Sequence, residues 1–325
     1  MGLFLYYMQG EEKMKSVNII LCTYNGEKYL PDLLNSLLAQ TYPNIRIYIR
    51  DDGSTDDTIN ILNEYCNRQN RFPIYFVEDK KGNLGYIKNF AETIRRSKEA
   101  DYYAFCDQDD YWLPDKISNA IEQLNKKDSK KCLLYSCAYE VRDDELNFIG
   151  NGHIPTDFSK LDVGKSLSLY DGGWLLGFTL VINNELMHKA FDKKIENIYS
   201  HDIWVQAVAL GFNGEFVYDN RVGAYFRRHN GSTSIAEGKV NSSLWEIWKY
   251  RFEQFKNGDV FSKIKNSYHN YYENYFDEIE NNSDKCFLKI YENKNTLKKA
   301  FYPYRLKKKL TAEIAWRISA LCGKL

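Results

Sequence analysis

The chain is expected to be an α/β protein with a mostly parallel central sheet flanked by helices. Between residues 16 and 140, short apolar runs rich in β-branched residues alternate with stretches whose apolar residues recur at helical spacing. Strand–loop–helix repetition of this kind builds parallel sheets, because each crossover returns the chain in the same sense. In addition, three polar clusters of different chemistry, Thr23-Tyr24-Asn25, DDGS at 51–54 and DQDD at 107–110, each follow such a run. Ligands of open α/β sheets bind beyond the carboxyl ends of the strands, so the clusters are expected to share one site.

Val17 to Cys22 is the first expected strand, and TYNGE is the turn after it. Leu30, Leu33, Leu34, Leu37 and Leu38 follow at helical spacing, with Pro31 in the first turn, where its missing N–H costs little. Ile45 to Ile49 alternates as a second strand and ends in DDGSTDD, a loop with helix-capping chemistry ahead of a helix from Thr58 to Cys66. Ile74 to Val77 is a third strand. Asn83-Leu84-Gly85 opens a helix with Ile87, Phe90 and Ile94 on one face, and Tyr102 to Cys106 is a fourth strand running into DQDD.

Residues 141–240 are more mixed. DGGW at 171–174 precedes an apolar run from Leu175 to Ile182, His201-Asp202 opens a helix through Leu210, and 214–229 reads as two short strands ending in Arg227, Arg228 and His229. From about 241 the composition turns aromatic, Lys-rich and helical. The expected organisation is an N-terminal extension at 1–15, an α/β domain at 16–240 with halves at 16–140 and 141–240, and a helical C-terminal region at 241–325.

With 44 basic and 44 acidic residues the formal charge is zero, which gives no support to polyanion or nucleic-acid binding. The seven cysteines are odd in number and form no CxxC pair, which fits reduced thiols in the cytoplasm better than a disulfide framework or zinc site. MGLFLYYMQGEEKMK is too short to span a bilayer and has the wrong charge order for a signal peptide. It reads as an extension before a natural start near Met14. No run of roughly 18 apolar residues occurs. The 26 tyrosines suit either sugar stacking or ordinary packing, and packing is the expectation for any one of them.

Carboxylates alternating after a buried strand repel unless a cation sits among them. DQDD therefore reads either as an oxygen-ligand site for Mg2+ or Mn2+, completed by substrate phosphates, or as a solvated acidic turn. Asp52 at a strand end could accept the imide N–H of a pyrimidine base, while Ser54 to Asp56 form a turn in any case. Asp202 is either a dipole-favoured first-turn Asp or a general base. Arg227 and Arg228 face phosphates or water, and a lone His in a basic turn, such as His229, is more often a surface or packing residue than a ligand.

VNIILCTYNGEKYL, IRDDGSTDDT, NLGYIKNF, CDQDDYWLPDKI, SHDIW and AYFRRHNGS, in this order over residues 16–235, resemble glycosyltransferase family 2, whose members are inverting enzymes with the GT-A fold. CDQDDxW followed by HDxW is most similar to bacterial rhamnosyltransferase-type enzymes of surface polysaccharide synthesis, although AYFRRH departs by one residue from their YRxH segment. The resemblance implies a Rossmann-like GT-A domain and transfer of a sugar from dTDP-rhamnose or a UDP-hexose to a glycan or lipid-linked glycan. It further implies that Thr23, Tyr24 and Asn25 line the nucleotide pocket, that Asp52 reads the base, and that Asn83, Gly85 and Lys88 border base and ribose. Asp107 would approach the ribose and metal, Asp109 would bind Mn2+ or Mg2+ with help from His229, and Asp110 and Trp112 would shape the donor-sugar pocket. Gly172, Gly173 and Trp174 would wall the acceptor side, and Asp202 would be the base.

Two other classes compete. A sugar-phosphate nucleotidyltransferase would need a basic, Gly-rich phosphate loop near the first strand, which TYNGEKYL does not provide. A non-catalytic binding subunit of the same fold would have no need of Asp109 and Asp202. In the C-terminal region, Lys298, Lys299, Arg305 and Lys307 to Lys309 precede Leu310, Ile314, Ala315 and Ile318 at helical spacing. This is either a basic amphipathic helix at the inner face of an anionic membrane or a helix packed on the catalytic domain or in an oligomer interface.

Overall fold

The computed structural model describes residues 14–79, 81–152, 175–229, 259–279, 282–301 and 310–321. The first half contains β1 (Val17–Thr23), α1 (Leu30–Leu38), β2 (Ile45–Asp51), α2 (Thr58–Asn67), β3 (Ile74–Phe76), α3 (Tyr86–Arg96) and β4 (Tyr102–Asp107). β3 with β2, β2 with β1 and β1 with β4 all pair in parallel. Both faces of β1 and β4 are covered, which is why each reads as a near-continuous apolar run. Ile20, Tyr103 and Phe105 pack with Phe90 and Ile94 of α3 on one face. Val17, Ile19 and Leu21 pack with Leu33, Leu34 and Leu37 of α1 on the other. Each such leucine contributes about 1.5–3 kcal/mol by leaving water.

The chain continues through β5 (Tyr111–Trp112), α4 (Lys116–Leu124), β6 (Leu133–Arg142), β7 (Phe148–Asn151), β8 (Leu180–Asn183), α5 (Asn184–Phe191), α6 (His201–Gly211) and β9 (Glu215–Arg227). The sheet order is β3-β2-β1-β4-β8-β6-β9-β5, with β7 on β6. β8 lies antiparallel between β4 and β6 and joins the parallel first half to the parallel β6–β9 pair. Antiparallel β5 closes onto β9 through Tyr111 opposite Tyr225. The result is the α/β, GT-A-like architecture expected, parallel in its first half and mixed in its second.

Two expectations need correcting. Residues 214–229 form not two strands but the single 13-residue β9. Its register against β6 jumps from Asp219 to Val222 and again to Ala224, so the bulge breaks the alternation while the strand continues. The apolar run at 175–182 is split between a 3-10 turn at Gly177–Thr179 and β8.

Beyond β9 the described chain is helical: α7 (Asp259–Tyr275), α8 (Asn282–Tyr291), α9 (Thr296–Ala300) and α10 (Leu310–Leu321). Tyr268, Tyr271 and Tyr275 are buried, and the Tyr271 hydroxyl donates to Ala207 O of α6 at 3.2 Å. These tyrosines fasten the helical region to α6, so here packing is their role. Lys299 is also buried, its Nζ 4.9 Å from the Tyr291 ring, and so does not belong to an outward basic face. Arg305 and Lys307 to Lys309 lie outside the described residues. Among the described residues no helix is long and apolar enough to cross a membrane.

Candidate active site

The carboxyl ends of β1, β2 and β4 are laced together by side chains from the three polar clusters. Thr23 Oγ1 donates to Asp51 Oδ1 at 2.8 Å. Asn25, in the left-handed region with φ 50°, donates its N–H to Ser54 Oγ and accepts from Thr55 N–H through Oδ1, both at 2.8 Å. Asn visits that region more readily than other L-residues. Gln108 grips Tyr24 from the other side, Oε1 accepting its N–H at 2.8 Å and Nε2 donating to its carbonyl at 3.0 Å. Gly26 allows this approach, since a Cβ there would lie 2.4 Å from Gln108 Oε1. The Tyr24 ring is left 48% exposed over the cleft.

The DDGSTDD loop is a turn, as expected, but its capping differs in detail. Asp51 Oδ2 accepts the N–H groups of Gly53 and Ser54 at 2.9 and 2.7 Å. Asp57 holds the cap position of α2 without capping it. Its carboxylate accepts from Asn60 Nδ2, and Asp56 Oδ1 takes the Thr58 N–H at 3.1 Å.

Asp52 is buried, and its Oδ1 accepts from Arg50 Nη1 at 2.8 Å and from Leu84 N–H at 2.7 Å, while Oδ2 accepts Gly85 N–H at 2.8 Å. Each carboxylate oxygen offers about two acceptor positions, so one position on Oδ2 is left for a ligand. Asn83, Gly85 and Lys88 stand exposed around the start of α3.

The end of β4 concentrates negative charge. Burial, with the charges of Asp109 and Asp202 nearby, raises the half-buried Asp107 carboxyl to about 7. Asp110 is enclosed. Its Oδ1 accepts Arg227 N–H at 3.3 Å and its Oδ2 has no partner. Burial, then Asp109 and Asp107, push its carboxyl well above the usual range. Trp112 is not in a sugar pocket. It is fully buried in the core, with Lys116 Nζ 3.6 Å from its ring, because β5 turns it inward beneath α4. Nor is Arg227 solvated or turned to a phosphate. It is buried, donating to Asp109 O at 3.1 Å, Asp144 O at 2.7 Å and Asp32 Oδ2 at 3.1 Å, and so braces the DQDD loop. Two residues on, His229 Nε2 lies 3.0 Å from Asp109 Oδ2, with its ring 4.6 Å from that of Tyr29.

Asp202 lies in the first turn of α6, where Ser200 is the cap residue. Its Oδ1 accepts Ile203 N–H at 2.8 Å and the Ser200 hydroxyl. Its charge is among those that raise the Asp107 carboxyl. His201 beside it is buried, stacked on Phe90 at 4.0 Å, and burial lowers its pKa. Gly172, Gly173 and Trp174 lie outside the described residues.

Asp109 and His229 supply an oxygen and a nitrogen to one point, and among the described residues no third His, Cys, Asp or Glu joins them in a closed cluster. Two protein ligands and an open face suit a cation completed by substrate phosphates and water. The mutual repulsion at Asp107 and Asp110 gives a cation reason to sit there. The residues present therefore fit Mn2+ or Mg2+.

Sequence reasoning missed Arg50, Gln108 and the bracing role of Arg227. Arg50 precedes DDGS and Gln108 lies within DQDD, so position alone could have flagged both.

A family model described as "Glycosyl transferase family 2" matches residues 18–162. The chain is 30% identical over 231 residues to the UDP-Glc:alpha-D-GlcNAc-diphosphoundecaprenol beta-1,3-glucosyltransferase WfaP of Escherichia coli, covering 70% of this chain and 82% of that one. Among solved structures it is similar to residues 1–349 of S. aureus TarS in complex with UDP-GlcNAc, with a TM-score of 0.57 and 17% identity over 94% of this chain and 81% of the other. It is also similar to the mannosyltransferase PcManGT of Pyrobaculum calidifontis in complex with GDP-Man and Mn2+, with a TM-score of 0.51 and 15% identity over 96% and 88% of the two chains.

Proposed function

The chain belongs to glycosyltransferase family 2, and from that premise we propose that it transfers a sugar, with inversion and with a divalent cation, from a nucleoside diphosphate donor to a hydroxyl of a glycan or lipid-linked glycan. The observation that carries this reading is the approach of His229 Nε2 to Asp109 Oδ2 at 3.0 Å, next to the strand ends where Gln108 holds the Tyr24 backbone. A carboxylate and an imidazole at that edge of the sheet suit a cation that neutralises a diphosphate leaving group.

In this reading Thr23, Tyr24 and Asn25 line the nucleotide pocket, and the open position on Asp52 Oδ2 accepts a base N–H. Asn83, Gly85 and Lys88 border the ribose, and Asp107 stands on the ribose side of the metal. Asp109 and His229 hold Mn2+ or Mg2+, which when bound supplies positive charge against the growing charge of the leaving diphosphate. Asp110 shapes the donor pocket from behind. Asp202 takes the proton of the acceptor hydroxyl as that oxygen attacks the anomeric carbon from the face opposite the diphosphate. The donor we favour is dTDP-rhamnose or a UDP-hexose. The UDP-Glc and lipid diphosphate in the name of WfaP support a UDP-hexose and a lipid-linked acceptor, and the Mn2+ bound to PcManGT supports the cation.

A membrane-facing C-terminal region suits such an acceptor. Ile314, Ile318 and Leu321 are exposed along α10, near the exposed Leu297 and Phe301 of the preceding segment. Residues 293–312 hold seven Lys or Arg and no Asp or Glu, a complement to anionic lipid at the inner face of the cell membrane.

The test is incubation with UDP-, dTDP- and GDP-sugars and Mn2+, with chromatography of the nucleotide products. Release of nucleoside diphosphate from at least one donor, dependent on Asp202, supports the reading. Pyrophosphate made from a sugar phosphate and a nucleoside triphosphate would replace it with nucleotidyl transfer.

A further inference from the structure

Arg50 lies at the end of β2 with 1% of its surface exposed and carries a charge that cannot be titrated away. A guanidinium is tolerated inside a protein only when its charge and donors are met. All five donors are used here. Nε and Nη2 form a two-pronged pair with Asp79, at 2.9 and 3.0 Å. Nη1 reaches Asp52 Oδ1 at 2.8 Å and Asn89 Oδ1 at 3.0 Å, and Nη2 also reaches Gly82 O at 2.9 Å.

These partners come from three segments: the end of β2, the first half of α3, and the loop between β3 and α3. Among its described residues that loop has no helix or strand, and Gly82 and Gly85 hold φ of 62° and 75° there. Its course is set by what it is tied to. Arg50 ties its near side through Asp79 and Gly82, and Asp52 ties its far side through the N–H groups of Leu84 and Gly85. Three donors meet Asp52, two at Oδ1 and one at Oδ2, which leaves an acceptor position on Oδ2.

We infer that Arg50 is a positioning residue of the donor site, fixing the loop that carries Asn83 and Gly85 and orienting Asp52, the carboxylate through which the base is read. Uracil, thymine and guanine present a ring N–H to such a carboxylate, whereas cytosine and adenine offer a ring acceptor at the corresponding edge. This rests on the nucleotide-sugar reading above and adds the residue that holds its base-reading carboxylate in place. Lys in place of Arg50 keeps a charge but brings a three-donor point contact that cannot span Asp79, Asp52, Asn89 and Gly82 together.

The experiment measures binding of UDP, dTDP, GDP and CDP with Mn2+ to wild type, Arg50→Lys and Asp79→Asn by calorimetry, with steady-state kinetics at varied donor. Hydrogen exchange of the 79–85 segment is followed alongside. Wild type is expected to bind at least one of the first three and to reject CDP. In Arg50→Lys the Kd for the preferred nucleotide should rise about tenfold, the preference over CDP should shrink, exchange at Leu84 and Gly85 should quicken, and kcat at saturating donor should stay within about threefold. A merely structural role would lower the folded fraction without changing base preference. Asp79→Asn, which keeps the Asp52 contact, should move in the same direction by less, and it decides the matter if Arg50→Lys does not fold. Unchanged Kd and base preference in the folded variants, or a loss confined to kcat, overturns the inference alone. Wild type that binds none of the three nucleotides overturns the nucleotide-site reading along with it.

Discussion

His229 Nε2 lies 3.0 Å from Asp109 Oδ2, which closes a separation of 120 residues at the mouth of the cleft. If the pair holds the cation, Asp109→Ala abolishes the Mn2+-dependent part of donor binding. His229→Ala, which leaves the carboxylate in place, weakens it by about 10–100-fold. Calorimetry with and without Mn2+ reads both. Equal donor affinity in wild type and Asp109→Ala would remove the ligand assignment.

Asp202→Asn should separate chemistry from binding. An Asn at this position can still accept from Ser200 and from Ile203 N–H, so the first turn of α6 keeps its cap. Turnover should fall by about 10²–10⁴-fold while donor Kd stays near wild type. Wild-type-like turnover in the variant would exclude Asp202 as the base.

Gly26 and Gln108 should couple. The Cβ of Gly26→Ala would meet the Gln108 amide, the movable end of a flexible side chain, so the cost is the lost grip on Tyr24, about 0.5–1.5 kcal/mol for each hydrogen bond. In a Gln108→Ala background the same substitution should cost far less. Urea unfolding of the four proteins of the cycle gives the coupling, and strict additivity would mean that the close approach carries no energy.

Acid should weaken the Arg50 clamp in a defined window. Arg50 holds the Asp79 carboxyl down from 3.8 to about 2. The sign follows: a group whose pKa is lower when folded contributes stability above its unfolded value, and that stability is lost as pH falls through the folded one. The stability difference between wild type and Asp79→Asn should therefore be constant above about pH 5 and shrink between about pH 4 and 2. A difference that does not change with pH across this range would show the pair to be energetically silent.

The parallel half of the sheet was legible because its signals are local. Runs such as Val17–Cys22 and Tyr102–Cys106 are buried on both faces, and the leucines of α1 keep helical spacing without interruption. The grouping of TYN, DDGS and DQDD followed from the same rule, since strand ends of a parallel sheet share one edge. What escaped depends on partners distant in sequence. Arg50 in a strand next to two aspartates looks like solvated surface, and only folding brings Asp79, Gly82 and Asn89 around it. Only the resemblance assigns Trp112 to the donor-sugar pocket, whereas the two-residue β5 pairs it with Ala224 and it is fully buried. β9 looked like two strands because a bulge shifts the side-chain alternation without ending the pairing.

β9 also sets a schedule. β1 to β4 find all their parallel partners within residues 17–107, so this unit can assemble soon after it is made. His229 follows Asp109 by 120 residues, which at about 5–20 residues per second is roughly 6–24 s of synthesis. During that interval the DQDD carboxylates stand without Arg227 or His229 against them. Contacts that span so much chain are slow to form, so the cation pair is among the last parts of the molecule to be built. Substitutions in the β9 bulge, far from any reacting atom, would then act on how much enzyme matures rather than on how fast each molecule works.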